Sequence, residues 1–352
     1  MKHWKSFLRA DPTAWLLEKD NPSVKYIALT EIQGHSESRM EVQTAREDIM
    51  RTGVIPKILA KQNSGGYWGK AEDFYIRSKY KGTVWQFIIL AELMADQNDR
   101  RIKETGEFIL KWSQDRESGG FAYRGSKKNG GFHSAVIPCL TGNMTWCLIR
   151  LGYMDDPRVK NAIHWITTYQ RFDDGSDKAP QGWPYEQFEQ CWGKHTCTLG
   201  VVKGLKALLD IPPKRRTQDI EIFIQRAADF ILKHHLYKRS RDLTRVAKPI
   251  WTKLEFPWMA NTDALEMLLI LTRLGFKDKR MQEALDLVVS KQDGQGRWNL
   301  ETTYNGRFQV NIERKGKSRY HHGKKDISSR DSGDSKTRFK GHIRPPQHLE
   351  QC

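Results

Sequence analysis

Cys191-Trp-Gly-Lys-His195-Thr-Cys197 is the densest run of metal-type ligands in the sequence. Two thiols and an imidazole, joined by Cys139 from elsewhere in the chain, are residue types that hold zinc, and zinc turns a thiol into a thiolate nucleophile. The spacing Cys-x3-His-x-Cys is not a common zinc pattern, and Cys139 and Cys197 also suit a tight apolar core. Three readings stay open at this point. They are a zinc site of Cys139, Cys191, His195 and Cys197, a set of buried structural thiols, and a metal-free catalytic Cys197.

The carboxylates offer other chemistry. Asn261-Thr262-Asp263 opens an apolar stretch that runs to Gly275. Asp263 is expected either to cap a helix there or to project inward as a catalytic acid or base. Asp155-Asp156 stands directly before Pro157 and reads as a helix start. Asp173-Asp174-Gly-Ser-Asp177 reads as a solvated turn in preference to a Mg²⁺ site. No Asp-x-Asp-Asp cluster occurs. Protonating an alkene needs an acid strengthened by such neighbours, so that chemistry is not expected.

Trp85, Trp146, Trp183, Tyr185 and Trp258 are candidates for an aromatic wall against an isoprenoid or a carbocation, with core packing as the alternative. Lys238, Arg239, Arg241 and Arg245 form a basic loop suited to diphosphate or acidic partners, or simply a solvated one. His234-His235 before it reads as a surface or C-terminal-turn pair late in a helix. There is no Gly-x4-Gly-Lys-Ser/Thr loop, no Gly-x-Ser-x-Gly elbow and no His-Glu-x-x-His helix, which sets aside those enzyme classes.

These residues need a frame, and the sequence repeats one. Apolar helices are predicted near 23–34, 83–95, 139–152, 195–209 and 261–275, each followed by an amphipathic helix. Leu265, Leu268, Leu269, Leu271 and Leu274 surround their helix, which should be buried on most sides. Met281, Ala284, Leu285, Val288 and Val289 instead make a one-sided stripe. A buried row and a half-exposed row require a ring or a solenoid.

The turns share a pattern as well: Gln62…Gly66-Tyr67-Trp68 and Gln292…Gly296-Arg-Trp298 both read Gln-x3-Gly-x-Trp, with looser versions at Gln114 and Gln170. The glutamine amide is suited to backbone groups left open at a helix end, and the indole to the hairpin's apolar edge.

These turns between paired helices resemble the repeats of squalene/hopene cyclases and protein prenyltransferase β subunits, over roughly residues 20–312. Thr83-Val-Trp-Gln, Leu140-Thr-Gly-Asn, Arg171-Phe-Asp-Asp-Gly and Gly193-Lys-His-Thr-Cys197 are similar to a branch of single-domain prokaryotic toroid proteins. The resemblance implies an all-α fold, an (α/α)6 toroid of inner and outer helices. It implies an isoprenoid or lipid-like ligand in a central cavity, for a transferase or cyclase, with a non-catalytic scaffold as the alternative. In such a ring the inner helices run parallel, so His133, Cys139, Cys191, Cys197 and Asp263 would gather on one rim. The family's Asp-x-Cys ligand pair is missing.

Five inner helices are legible and the sixth is not. From Lys315 the sequence turns to Ser, Arg, His, Lys, Gly and Asp, too little apolar area to offset ordering entropy. The expected organisation is a toroid over 1–314 and a disordered basic tail over 315–352, with a frameshifted or truncated gene as the hypothesis for the missing helix.

The tail also carries much of the charge. Of the net +17, +7 falls in the last 39 residues, where eleven Lys/Arg face four Asp/Glu; the other +10 is spread over 313 residues. With no arginine-rich helix or zinc-finger spacing, a solvated basic surface is expected, and nucleic acid is not expected as a partner. No membrane-spanning apolar run or signal-peptide core is visible, and the five cysteines are sparse and odd in number. A cytoplasmic protein is expected, with peripheral membrane contact left open.

Overall fold

The computed structural model describes residues 6, 8–193, 195–304 and 306–312. The basic tail expected from residue 315 lies outside the described residues. The described chain is helix-rich, and its only strands are two short hairpins, β1 (Gly125–Ser126) with β2 (Gly130–Gly131) and β3 (Lys238–Arg239) with β4 (Asp242–Val246).

Five successive helix pairs follow the expected alternation. They are α1 (Pro22–Ile27, continuing as a π turn) with α2 (Met40–Arg51), and α3 (Thr83–Glu92) with α4 (Arg100–Trp112). Next come α5 (Pro138–Leu148) with α6 (Pro157–Tyr169), and α7 (Thr198–Leu209) with α8 (Gln218–Lys233). The last pair is α9 (Ala264–Arg273) with α10 (Gln282–Ser290). A short helical turn at Thr13–Leu16 precedes the first pair, and those at Ile55–Leu59 and Glu189–Trp192 lie between pairs.

Local chemistry sets the boundaries. The side chains of Asp99, Asp156, Thr217 and Asp263 each accept a first-turn N–H of the helix they precede. Asp155-Asp156 is thus a helix start as expected, with Asp155 paired to Arg215. Gly275, at φ +87°, takes the left-handed turn that ends α9.

The first helix of each pair lies inside. Every residue of α5 is buried, as is α3 from Thr83 to Ala91 and α7 from Leu199 to Leu208. α9 departs from the expectation: Leu269 is exposed. Side by side run α3, α5, α7 and α9, each backed by its own partner helix. The closest approach is between α5 and α7, where a Cβ on Gly142 would stand 2.5 Å from the carbonyl carbon of Lys203. Only hydrogen fits between these backbones.

Three of the glutamine turns reach the next segment, whereas Gln170 donates to the adjacent Arg171 O at 2.8 Å. Gln62 donates to Arg101 O (2.9 Å) and Thr105 Oγ1 (2.7 Å), and Gln114 donates to Arg158 O (2.7 Å), both at the start of the following outer helix. Gln292 makes the matching contacts to the N-terminal segment: its Oε1 accepts from Arg9 N (2.7 Å) and its Nε2 donates to Ala10 O (3.0 Å). The indoles of Trp68 and Trp298 do more than cover an edge. Each donates to a carbonyl ten residues earlier, Ile58 O (2.9 Å) and Val288 O (2.8 Å). Further along, Gln309 donates to Lys81 O and Tyr304 stacks on Tyr80 at 4.1 Å, so the last segment lies against the approach to α3.

Gly142→Ala should destabilise the chain by about 1–3 kcal/mol through overpacking at this contact. Urea denaturation reads this directly, and a midpoint unchanged from wild type would contradict the α5–α7 geometry.

Candidate functional site

The interior between the inner helices is polar. From α7, Lys203 Nζ meets both oxygens of Glu266 on α9, at 2.7 and 2.8 Å, with both side chains essentially inaccessible. One turn on, Lys206 Nζ meets Glu266 at 3.0 Å and Glu92 of α3 at 2.5 Å. Its ammonium also lies 4.0 Å from the Trp146 ring centroid and 5.4 Å from that of Trp258. Burial alone would raise the Glu266 carboxyl, but Lys203 and Lys206 outweigh it and hold the group below its usual value. Burial lowers the Lys203 ammonium and Glu266 only partly restores it. Two ammoniums and two carboxylates leave this centre neutral.

Beside the balanced group stand two carboxyls outside it. Asp263 caps α9 through Oδ1, which accepts from Glu266 N at 2.8 Å, while Oδ2 accepts from Glu255 N (3.0 Å) and Trp258 Nε1 (2.9 Å). Burial nevertheless pushes its carboxyl up to about 6, against those three donors. Glu255 is 3 % exposed. Its Oε2 accepts from Asn261 at 3.1 Å and its Oε1 has no hydrogen-bond partner. Burial pushes it up to about 7, with Tyr304 and Asn261 pulling the other way and Asp263 adding to the rise. A network of aromatic rings adjoins Glu255 through Tyr304. Tyr304 stacks on Tyr80, Tyr80 meets Trp85 at 5.2 Å, and Trp85 stacks on Tyr75 at 4.7 Å.

The expected aromatic wall falls into separate places. Trp85 belongs to the network beside Glu255. Trp146 and Trp258 flank Lys206, and the Trp146 indole donates to Asp210 at 3.1 Å. Trp183 stacks on His133 at 4.1 Å, and Tyr185 packs edge-on to Trp192 at 5.5 Å, within the loop before α7. Of the expected site residues, Asp263 and Trp258 share a direct hydrogen bond with each other.

The thiols are placed by packing. Cys197 is buried at the start of α7 with Sγ accepting from Gly200 N at 3.4 Å, and Cys139 and Cys191 are buried as well. His195 is exposed, on a surface cleft. Among the described residues no group of three or more His, Cys, Asp and Glu side chains forms a metal-binding set. No step below passes through a metal. His234 takes the helix-end position as the C-cap of α8 and is not at the surface. It is buried, with Nδ1 against Lys238 O at 2.9 Å and Nε2 against Asp174 at 3.2 Å, and only His235 pairs outward, with Glu283.

Glu255, Tyr304, Lys203, Lys206 and Glu266 were not singled out from the sequence. The signal for three of them was present. Charged residues at i and i+3 inside Thr-Leu-Gly-Val-Val-Lys203-Gly-Leu-Lys206, and Glu266 inside Ala-Leu-Glu-Met-Leu-Leu, cannot all reach water from a buried helix.

No protein-family model matches this chain, and no curated protein matches it. Among solved structures, the chain is similar to a protein from Actinoplanes, with 15% identity and a TM-score of 0.39, covering 79% of this chain and 73% of that one. It is also similar to a type II terpene cyclase from Scytonema, in complex with geranylgeranyl dihydroxybenzoate. That match has 14% identity and a TM-score of 0.29, covering 73% of this chain and 80% of the other. At these TM-scores neither neighbour assigns a role to a residue of this chain. No helix among the described residues is long and apolar enough to cross a membrane.

The Glu255 carboxyl makes a pH prediction. Its folded value of about 7 exceeds the ordinary 4.5, so the unfolded chain releases this proton first as pH rises. Stability is then lost across that window. Between pH 5 and 8, wild type should lose about 2–3 kcal/mol more than Glu255→Gln, in which this titration is absent. Parallel urea-denaturation curves for the two proteins at both pH values would contradict the assignment.

Proposed function

We propose that this chain is an α/α toroid that holds an isoprenoid or other lipid-like ligand against the aromatic groups beside Glu255 and Asp263. The ring reading is supported by Gln292, which treats residues 9–10 as the earlier turn glutamines treat the next outer helix. The single observation that carries the functional reading is Glu255, a buried carboxyl hydrogen-bonded by Tyr304, whose ring stacks on Tyr80.

The chemistry follows from that acidity. A carboxyl raised to about 7 is too weak an acid to protonate an alkene, which agrees with the missing Asp-x-Asp-Asp cluster. It is well matched to general acid–base work near neutral pH, where both protonation states are populated. The reading is therefore proton transfer between Glu255 and a heteroatom of the ligand, a hydroxyl or a leaving oxygen. In this reading Asp263 is a positioning residue, because its oxygens hold the Glu255 backbone N–H and the Trp258 indole in place.

A second reading, a binding scaffold without turnover, is favoured by the Lys203–Glu266–Lys206–Glu92 group. It occupies the space between inner helices with contacts made among the protein's own side chains.

Titrating the full chain with farnesol and geranylgeraniol, followed by tryptophan fluorescence, tests the ligand class. Saturable binding that Tyr304→Ala weakens about tenfold is expected, and absence of saturation for both alcohols overturns the lipid-like ligand. For a substrate found by screening, Glu255→Gln should lower kcat at least about 100-fold while leaving binding of the alcohols within about threefold. Binding without any turnover, or turnover indifferent to Glu255→Gln, defeats the acid–base role; the former leaves the scaffold.

A further inference from the structure

A cleft of about 490 Å³ opens between the β3–β4 hairpin and the first turn of α7, away from the buried carboxyls. We propose that it is a binding site for a phosphorylated small molecule, with the phosphoryl group held by Arg239, Arg241, Arg245 and Lys248.

The case rests on which charges in the cleft are already spent. Of its two acidic residues, Asp174 is engaged by other groups, whereas Asp242 also acts on the nearby charges of Arg245 and Arg239. Asp174 accepts from His234 Nε2 at 3.2 Å and from Ser240 Oγ at 2.5 Å, and pairs with Lys233 at 3.2 Å. Asp242 accepts from the backbone N–H and the hydroxyl of Thr244, at 3.1 and 2.6 Å. The guanidiniums are not spent. Arg239 and Arg245 make no hydrogen bond or ion pair among the described residues, and Arg241 makes one long contact, to Gly175 O at 3.4 Å. Lys248 lies over the Trp251 ring at 5.6 Å. Three guanidiniums, with Asp242 as their acidic neighbour and Asp174 paired with Lys233, leave a net positive concavity.

Two further features select the ligand. Thr198 lines the cleft at the N-terminus of α7, a helix of 12 residues, whose positive end adds to the attraction for an anion. Forked guanidiniums suit the geometry of phosphate oxygens. Leu199, Ala247 and Trp251 supply an apolar side on which the organic part of an ester can lie. The volume exceeds what one inorganic phosphate needs, and the concave shape suits a small molecule better than a polyanionic strand.

His234 has a part in building this site. Its two ring nitrogens both face acceptors, Lys238 O and Asp174, so the imidazole ties the start of β3 to the Asp174 turn across the cleft. Ser240 in the hairpin turn closes on the same Asp174.

This inference does not depend on the reading of the interior, and one set of proteins separates the two. Isothermal titration of the full chain with inorganic diphosphate and with inorganic phosphate, at 150 mM salt, is compared for three variants. Arg239→Ala/Arg245→Ala should weaken the anion that binds at least tenfold, from loss of charge-assisted contacts. Arg51→Ala/Arg100→Ala, with the same change in net charge elsewhere, should stay within twofold, and so should Glu255→Gln. Pocket-dependent binding of diphosphate supports a diphosphate ester as ligand, and of phosphate alone a monoester. Equal weakening by the two arginine double variants, or no binding of either anion by wild type, overturns the site. A loss confined to turnover in Glu255→Gln concerns the interior reading alone.

Discussion

Four charges buried at the centre of the inner helices constrain everything around them. Moving an isolated ammonium or carboxylate into a protein interior costs several kcal/mol, and only close, well-directed pairing offsets it. Lys203 is inaccessible and Glu266 nearly so, yet each has its partner within 3 Å. Because Glu266 serves Lys203 and Lys206 together, and Lys206 also serves Glu92, the group links α3, α7 and α9 at one place. No member can move without stranding a charge. The tight backbone contact at Gly142 fixes α5 in the same register, since it touches the backbone of Lys203 itself.

That neutrality explains the carboxyls beside it. Lys203 and Lys206 pair directly with Glu266 and Glu92, and Lys203 pulls Glu255 down less than burial raises it. Burial then dominates both groups and raises them, although Asp263 has three hydrogen-bond donors to oppose it. The same interior therefore holds a Glu266 carboxyl kept below its usual value and two carboxyls poised near neutrality, separated by how directly the lysines pair with them. An environment that pushes similar groups apart in acidity is how acid–base roles are divided in a site.

The fold was largely legible in the sequence. Runs such as Thr-Val-Trp-Gln-Phe-Ile-Ile-Leu-Ala announce a buried helix, and the five apolar stretches fall where α1, α3, α5, α7 and α9 stand, although α1 and α9 are not buried all round. The repeated glutamine and tryptophan announced the turns, because both make the same backbone contacts in separate copies. The site was legible only where it sits on a helix. Asp263 could be picked as a cap that also points inward. Glu255, by contrast, lies in an irregular segment with no periodicity to say which way it faces, and Tyr304 reaches it from about fifty residues away. Trp183 and Tyr185 were grouped with Trp85 by residue type, but the long loop before α7 packs them against His133 and Trp192 instead. Lys203 and Lys206 were the overlooked signal, since a lysine on a helix buried all round must have a buried acid as partner.

The central claim is that the interior carries a balanced charge group with two unbalanced carboxyls beside it. Carbon-13 NMR of the side-chain carboxyls, assigned by Glu→Gln and Asp→Asn variants, tests it most directly. The account predicts that Glu255 titrates near 7 and Asp263 near 6, while Glu266 shows no titration between pH 5 and 8. Glu255 titrating near the ordinary 4.5, or Glu266 taking up a proton within that range, would contradict it.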